Sequence, residues 1–199
     1  MGETLSDLFQ ADASRLPPER KALRAQLLAQ RKAWLALPAA HAAGAALGQQ
    51  LRELLEQLEP QCLGLYWPLE GEFNAAEQIQ GHAWEQAPQL ALPYAHKSPR
   101  FMDYRRWDGS SPTIQDECGI GSSGGALVVP DVVLVPCVGF TREGFRLGYG
   151  GGYFDQWLSL HPGVISVGLA WSVSEAHFAI EPHDQPLTLV LTEREIVAP

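Results

Sequence analysis

The sequence is poor in cysteine and has no long uninterrupted apolar run, and each absence excludes a class of protein. Its 199 residues contain three cysteines, an odd number at wide spacing: Cys62, Cys118 and Cys137. This pattern fits neither a disulfide framework nor a zinc site. The longest apolar stretch, residues 126–140, is broken by two prolines and an aspartate, whereas a membrane-spanning helix needs about 20 apolar residues. We therefore predict a cytoplasmic protein with free thiols and no membrane partner.

Positive charge is also scarce. Lys and Arg number 14 against 23 Asp and Glu, which gives a net charge of −9. This balance excludes broad binding to nucleic acid but leaves room for a small anion held by a few arginines. Hydrophobic residues make up 46% of the chain, enough for one sizeable core. We predict a flexible lead at residues 1–16, a single domain at 17–199 and a monomer.

Helix and strand patterns alternate along the chain. Helices are predicted at residues 17–36, 39–58, 75–80 and 152–160. Strands are predicted at residues 62–67, 89–93, 101–107, 132–135, 164–170 and 187–191, and a loop at 109–125. Because strands and helices alternate in the second half, we predict an α/β fold with a largely parallel sheet and helices on both faces.

The first helix combines an apolar stripe with a row of arginines. At 100° per residue, its apolar positions Leu23, Leu27 and Trp34 fall in one narrow sector. A neighbouring sector holds three basic residues: Arg20, Arg24 and Arg31. The helix is therefore predicted to bury one stripe while it presents guanidinium groups beside it.

Two glycine-rich segments differ in their context. Residues 119–124 match the dinucleotide pattern G-x-G-x-x-G, but no strand precedes them and no helix follows, so we predict a surface loop. Residues 146–152, in contrast, follow a buried strand, precede a helix and combine Arg146 with four glycines. Glycines let backbone N–H groups approach a phosphate, and a helix N-terminus favours negative charge. We favour phosphate binding as the hypothesis for this segment, and a structural glycine turn is the alternative.

Acidic residues near these segments allow two interpretations each. Asp155, in the first turn of the following helix, either stabilises that helix end or binds Mg²⁺. Glu72 follows the strand that ends at Trp67, where α/β sheets place ligands. It either binds a flat, amine-bearing ring or belongs to a solvated acidic loop. The pair His183 and Asp184 is either a metal or base pair or ordinary surface.

The segment Arg146–Asp155 after a Val-Pro strand resembles the signature of the 5-formyltetrahydrofolate cyclo-ligase family, also called methenyltetrahydrofolate synthetases. Supporting pieces in the family's order are the basic helix at 20–24, residues 66–74, Leu92-Pro93, Met102 and the ending at 181–193, so the resemblance covers about residues 18–196. It implies a three-layer α/β/α sandwich and an ATP- and Mg²⁺-dependent reaction. In that reaction the formyl oxygen of 5-formyltetrahydrofolate is phosphorylated, N10 closes the ring, and phosphate leaves to give 5,10-methenyltetrahydrofolate.

The resemblance also implies roles for particular residues. Trp67 and Glu72 would bind the folate substrate, Asp155 and Asp184 would hold Mg²⁺, and Arg146 would act in catalysis. Tyr153 would share that catalytic role. The ATP-binding residues would be Arg20, Lys21, Arg24, Arg146, Leu147, Gly148, Tyr149, Gly150, Gly151, Gly152, Tyr153 and Phe154.

Four positions depart from the family pattern. Arg20 stands where lysine is usual, Thr141 where aspartate is usual and Phe154 where a second tyrosine is usual. The stretch Gly-Ile-x-Glu-Pro appears as residues 119–123 without the acid or the proline. Two further functions therefore stay open. One is a nucleotide- or folate-binding regulatory relative with little turnover, and the other is a sugar-phosphate or CoA-ester enzyme of similar architecture.

Overall fold

The computed structural model describes residues 18–199, so the predicted lead at 1–16 lies outside the described residues. Within the described part, the α-helices are α1 Pro18–Leu35, α2 Ala39–Leu58, α3 Ala75–Ile79 and α4 Tyr153–Leu160. They confirm the four predicted helices to within two residues at each end. No helix in the described part has the length and apolar character to cross a membrane.

Most of the strands join one central sheet. In chain order the strands are β1 Cys62–Gly64, β2 Gln89–Lys97, β3 Arg100–Trp107, β4 Ile114–Gln115, β5 Gly121–Ser122, β6 Leu127–Val128, β7 Val132–Pro136, β8 Gly139–Phe140, β9 Arg146–Leu147, β10 Ile165–Leu169, β11 Leu189–Leu191 and β12 Ile196–Val197. The central sheet has eight strands in the order β12-β11-β10-β7-β1-β2-β3-β6. Two small hairpins, β4–β5 and β8–β9, stand apart from it.

The central sheet is parallel in its middle and antiparallel at its edges. Strands β11, β10, β7, β1 and β2 pair in parallel, which confirms the predicted largely parallel sheet. The pairings β11–β12, β2–β3 and β3–β6 are antiparallel. Strands β6 and β12 have two residues each, too few to show an alternating pattern, and the sequence therefore does not indicate them.

Strand β7 shows why the sheet is covered on both faces. Its first four residues are almost fully buried, and alternate side chains point to opposite faces. Val132 and Leu134 pack in a cluster with α2 and α3, whereas Val133 and Val135 pack in a second cluster with Trp157 of α4. The fold is therefore the expected three-layer α/β/α arrangement.

Helix α1 lies against segments that follow the carboxyl ends of the parallel strands. Leu27 is buried against Val138 and Leu147, which belong to the region of the β8–β9 hairpin after β7. Trp34 packs on Trp171, just after β10, with 4.9 Å between the ring centroids. Of the predicted apolar stripe, Leu27 is buried, whereas Leu23 and Trp34 are half-buried. The neighbouring arginine row is brought to this edge of the sheet, where its three residues are buried as well.

Two local predictions differ from the structure. The strand predicted at 62–67 ends at Gly64, although Leu65 and Tyr66 are buried, because an apolar run indicates burial and not strand pairing. The loop predicted at 109–125 contains the small β4–β5 hairpin. Residues 119–124 have no helix after them, as the sequence predicts. The predicted surface loop is wrong in part, because Gly121 and Ser122 form β5 and Ser122 is buried.

Candidate active site

A cavity opens where the chain order of the parallel sheet reverses. Strand β1 has β2 on one side and β7 on the other, and ligands of open α/β sheets bind at such a switch point, beyond the carboxyl ends of the strands. Trp67 follows β1 and Pro136 ends β7, and both line the cavity. Helix α1, the loop at 148–152 and residues 181–184 form the rest of its rim.

Three arginines line this cavity while being largely shielded from solvent. Arg20, Arg24 and Arg146 are each 6 to 7% exposed. Nε of Arg24 donates to the carbonyl of Gly148, but its Nη1, like Nε of Arg20, is buried without a partner. Burial, and then the nearby Arg20, lowers the pKa of Arg24. Arg20 and Arg24 therefore have unused donors, which an anion would satisfy.

Carboxylates occupy two of the arginines. Nη1 of Arg20 lies 3.0 Å from Glu181 Oε2, and its Nη2 lies 3.1 Å from Asp184 Oδ2. Nη2 of Arg146 lies 3.0 Å from Asp155 Oδ2. Both predicted magnesium ligands are thus paired with predicted phosphate-binding arginines.

The glycine loop joins β9 to α4 along the cavity. Gly150 and Gly152 have φ values of 100° and 67°, the left-handed region that only glycine adopts readily. Tyr153 begins α4, and its hydroxyl donates to the carbonyl of His96 at 3.2 Å and lies 3.3 Å from the Cys118 sulfur. Phe154, at the position where a tyrosine is usual, lies under the guanidinium of Arg146 at 5.7 Å. The aromatic ring, and not a hydroxyl, makes that contact.

Glu72 is the acidic group of the cavity that lacks a full set of partners. Its Oε2 accepts from the backbone N–H of Leu69 at 2.8 Å, whereas its buried Oε1 has no partner. Burial raises the pKa of Glu72, and Arg31 and the Tyr149 hydroxyl act in the opposite direction. Such a carboxylate needs donors, and a ligand in the cavity can supply them.

Trp67 forms the apolar surface next to Glu72. It makes an edge contact with Trp107, with ring centroids 6.2 Å apart. The backbone of Gly121 lies so close that an added Cβ would be 2.7 Å from Cδ1 of the indole. The glycine at 121, which the sequence presents as part of a false dinucleotide pattern, therefore holds the loop against Trp67.

The structure brings nearly all of the predicted site residues into one cavity. Lys21 is the exception, because it is exposed on α1 and does not line the cavity. It is adjacent to Arg20, and adjacent helical residues point about 100° apart. The other predicted ATP, folate and metal residues all line the cavity.

Sequence reasoning missed several residues of the cavity. Asp116 is buried there, and its carboxylate accepts from the backbone N–H groups of Ala95, Cys118 and Ile120. Ile120 lines the same wall. Both residues lie in a segment predicted only as a loop, and a loop carries no periodicity that would reveal which side chains turn inward.

One cluster in the described part of the chain could hold a metal ion. Donor atoms of Glu181, His183 and Asp184 all lie within 4.8 Å of one another. His183 is exposed, whereas the two acids are half-buried. Asp155 lies outside this cluster, and its second oxygen, Oδ1, accepts from the backbone N–H of Gln185.

Comparison with known proteins identifies one family. A model of the 5-formyltetrahydrofolate cyclo-ligase family matches residues 17–193. A 5-formyltetrahydrofolate cyclo-ligase of Haemophilus influenzae is 29% identical over 161 residues, which make up 76% of this chain and 86% of the relative. The cyclo-ligase of Mycoplasma pneumoniae is 36% identical over 64 residues, which are 32% of this chain and 39% of the relative.

Two solved structures share the fold. The 5,10-methenyltetrahydrofolate synthetase of Mycoplasma pneumoniae superposes with a TM-score of 0.68 at 22% identity, covering 88% of this chain and 99% of the other. The synthetase of Aquifex aeolicus gives a TM-score of 0.69 at 23% identity, covering 90% of this chain and 92% of the other.

Proposed function

The chain belongs to the 5-formyltetrahydrofolate cyclo-ligase family, and we propose that it converts 5-formyltetrahydrofolate to 5,10-methenyltetrahydrofolate with ATP as phosphoryl donor. In this reaction the γ-phosphoryl group passes from ATP to the formyl oxygen, and ADP leaves. The N10 nitrogen then attacks the activated carbon and gives up its proton, and phosphate departs with the former formyl oxygen and takes up that proton. The protein contributes mainly positioning and stabilisation of charge.

The observation that carries this proposal is that one cavity contains both unsatisfied donors and an unsatisfied acceptor. Arg20 and Arg24 offer buried guanidinium nitrogens without partners, and Glu72 offers a buried carboxylate oxygen without a partner. A phosphate group accepts from the former, and the amino-amide edge of a reduced pterin donates to the latter. Trp67 supplies an apolar face for the ring. The cavity therefore matches both substrates by charge and by hydrogen-bonding sense.

The basic residues and the glycine loop form the proposed nucleotide subsite. The loop's N–H groups and the N-terminus of α4 add to the donors of Arg24 and Arg146. Arg20 and Arg24 can donate to a phosphate through their unpartnered nitrogens, whereas Arg146 would exchange its Asp155 partner for a phosphate oxygen. We place Arg146 in catalysis because a fixed guanidinium stabilises charge that develops on the transferred group.

The donor set also fits Mg²⁺, which prefers carboxylate and phosphate oxygens. Asp155 and Asp184 are the proposed ligands, and Glu181 is a further carboxylate beside Asp184. When bound, the ion would neutralise phosphate charge and orient the transferred group. Both aspartates are paired with arginines in the absence of ligand, so metal and nucleotide would be expected to bind together.

A spectrophotometric assay tests the proposed reaction directly. We expect 5,10-methenyltetrahydrofolate to form from 5-formyltetrahydrofolate only when both ATP and Mg²⁺ are present. A thermal-shift measurement with ATP and Mg²⁺ tests the nucleotide subsite separately, because a ligand of the folded state raises its stability. Gly150→Val should abolish most of that shift, since valine does not tolerate a φ of 100°.

The outcomes separate the alternatives. Product that forms at the same rate with and without ATP would contradict the proposed reaction. Thermal stabilisation by ATP and folate without any product would instead favour the regulatory relative, in which residues 119–123 lack the acid and the proline of the family pattern. We further propose that the protein is a cytoplasmic monomer, in accord with its three unpaired cysteines, and gel filtration with light scattering tests its mass in solution.

A further inference from the structure

Tyr149 belongs to both proposed subsites at once. Its backbone lies between Gly148 and Gly150 in the loop proposed to bind phosphate, and the residue lines the cavity. Its hydroxyl accepts from Nη2 of Arg31 at 2.9 Å, and the same Nη2 donates to the carbonyl of Glu70, two residues before Glu72. The hydroxyl also acts to lower the pKa of Glu72. The backbone of one subsite thus carries a side chain that is joined, through Arg31, to the segment that holds the acid of the other.

Arg24 holds the backbone on the phosphate side and keeps one donor without a partner. Nε of Arg24 donates to the carbonyl of Gly148, next to Tyr149, and Nη1 of Arg24 is buried without a partner. A phosphate that engages Nη1 would fix this guanidinium from its other side. The carbonyl of Gly148, and the peptide that leads into Tyr149, would be fixed with it.

The carboxylate on the folate side depends on few groups. Leu69 fixes Oε2 of Glu72 through its backbone N–H, and the buried Oε1 lacks a partner. Arg31, which lies on α1 with Arg24, also donates to the carbonyl of Glu70 at 3.1 Å. Arg31 therefore holds the backbone just before Glu72, and Arg31 and Tyr149 both act to lower the pKa of the group that would receive the pterin.

We propose that Tyr149 is a positioning residue that couples the two subsites, so that nucleotide bound at the loop strengthens folate binding through the Tyr149 hydroxyl. The inference rests on the proposed function, because it assumes that these two ligands occupy the cavity. Preorganisation of the loop by the first ligand removes part of the ordering cost of the second. Coupling of two binding equilibria is reciprocal, so folate should strengthen nucleotide binding by the same factor.

Calorimetric titration measures this coupling without turnover. The dissociation constant of 5-formyltetrahydrofolate is determined alone and with a saturating non-hydrolysable ATP analogue and Mg²⁺. We expect wild type to bind folate at least about five-fold more tightly with the analogue, the lower end of usual coupling factors. In Tyr149→Phe the ratio of the two constants should fall close to one, while each ligand still binds when present alone.

The matched control is Tyr153→Phe, in the same segment. Its hydroxyl contacts the carbonyl of His96 and the sulfur of Cys118, so whatever its effect on each affinity, the ratio should stay near that of wild type. Melting temperatures measured without ligand establish that both variants fold.

The results distinguish this inference from the proposed function. A ratio near one in wild type, or an unchanged ratio in Tyr149→Phe, would overturn the coupling role even if wild type forms methenyltetrahydrofolate. If wild type neither binds folate nor forms product, the proposed function fails and the coupling role fails with it. If the ratio of the folate dissociation constants falls in Tyr149→Phe but not in Tyr153→Phe, and wild type turns over, the results support both the proposed function and the coupling role.

Discussion

The two walls of the cavity satisfy their charges in opposite ways. On the basic wall, which we define as Arg20, Arg24 and Arg146, two of the three guanidinium groups are already paired with carboxylates. On the folate wall, defined as Trp67 and Glu72, the carboxylate keeps one buried oxygen without a partner, and burial raises its pKa. The basic wall is therefore neutralised from within the protein, whereas the folate wall needs its ligand.

This difference predicts opposite costs for the removal of charge. Loss of Arg20 or Arg146 leaves a carboxylate without its partner inside the protein, so stability and binding should both decrease. Loss of the charge on Glu72 removes a desolvated group, so binding suffers while the apo protein keeps its stability. The sign of the stability change is thus the measurement that tells the two walls apart.

The largest effect is expected from Arg146→Ala. Asp155, whose side chain is 18% exposed, would lose its partner at 3.0 Å, and breaking a buried pair costs about 3 to 5 kcal/mol of stability. Loss of a fixed donor to the transferred phosphoryl group should lower kcat by about 100-fold or more. Urea unfolding and steady-state kinetics measure the two effects.

The control for Arg146→Ala is Arg142→Ala, four residues earlier. Arg142 is exposed, pairs with Glu175 and Glu195 on the surface and does not line the cavity. Its replacement should leave kcat near wild type and change stability little, because exposed ion pairs contribute little. If the two variants lose kcat and stability equally, the basic wall has no role that an exposed arginine lacks.

Glu72→Gln should affect the folate side alone. An unmatched donor in a closed site costs about 1 to 3 kcal/mol, so the KM for 5-formyltetrahydrofolate should rise about ten-fold or more. The KM for ATP should change little, and the melting temperature should not fall below that of wild type. Glu70→Gln, in the same Glu-Gly-Glu segment but exposed, is the control and should behave as wild type. Equal changes in both KM values would mean that the two subsites are placed wrongly.

Local pattern was enough to predict much of this cavity. The arginine row follows from helical periodicity, and the turn at residues 148–152 follows from glycines between a strand and a helix, so both are visible within about 20 residues of sequence. The partners of these groups are not local. Arg20 meets Asp184, which is 164 residues away, and no spacing within either segment indicates that the two will pair.

The folate wall shows more clearly what sequence patterns cannot predict. Glu72 was recognisable only as an acid after a strand, with a solvated loop as an equal alternative. Two of the groups that offset the effect of burial on its pKa, Arg31 from α1 and Tyr149 from the glycine loop, are brought there by the fold. The close approach of Gly121 to Trp67 is likewise a contact between distant segments, and the sequence around Gly121 suggested only a misleading motif.

The next largest effect is expected in the pH dependence of folate binding. Since burial raises the pKa of Glu72 above its ordinary value, this carboxylate takes up its proton at a higher pH than an exposed glutamate. The groups that face it are Arg31, Tyr149 and Tyr66. We expect the folate KM at saturating ATP to rise as the pH falls into the mildly acidic range, up to about the level of Glu72→Gln.

The Glu72→Gln variant separates this effect from titration of the substrate. Its folate KM should lack the acidic limb that is specific to wild type. The stability difference has a defined sign too: the folded state holds the proton more tightly than the unfolded state, so the stability contribution of Glu72 falls as pH rises from the ordinary pKa through the raised one. An acidic limb of the same size in both proteins would assign the limb to another group.

The smallest effect is expected from Gly121→Ala, which tests the apolar half of the folate wall. The new methyl group would lie 2.7 Å from Cδ1 and 2.9 Å from Cγ of Trp67, atoms near the stem of the side chain that cannot swing away freely. Overpacking of this kind costs about 1 to 3 kcal/mol, shared between stability and ring position. If the indole forms the face on which the pterin lies, its displacement should raise the folate KM about three-fold and leave the ATP KM unchanged. Gly124→Ala is the matched control, because its methyl group would meet Ile114 at an ordinary 3.4 Å. If Gly121→Ala lowers stability without any change in the folate KM, Trp67 is a packing residue and Glu72 alone forms the folate wall.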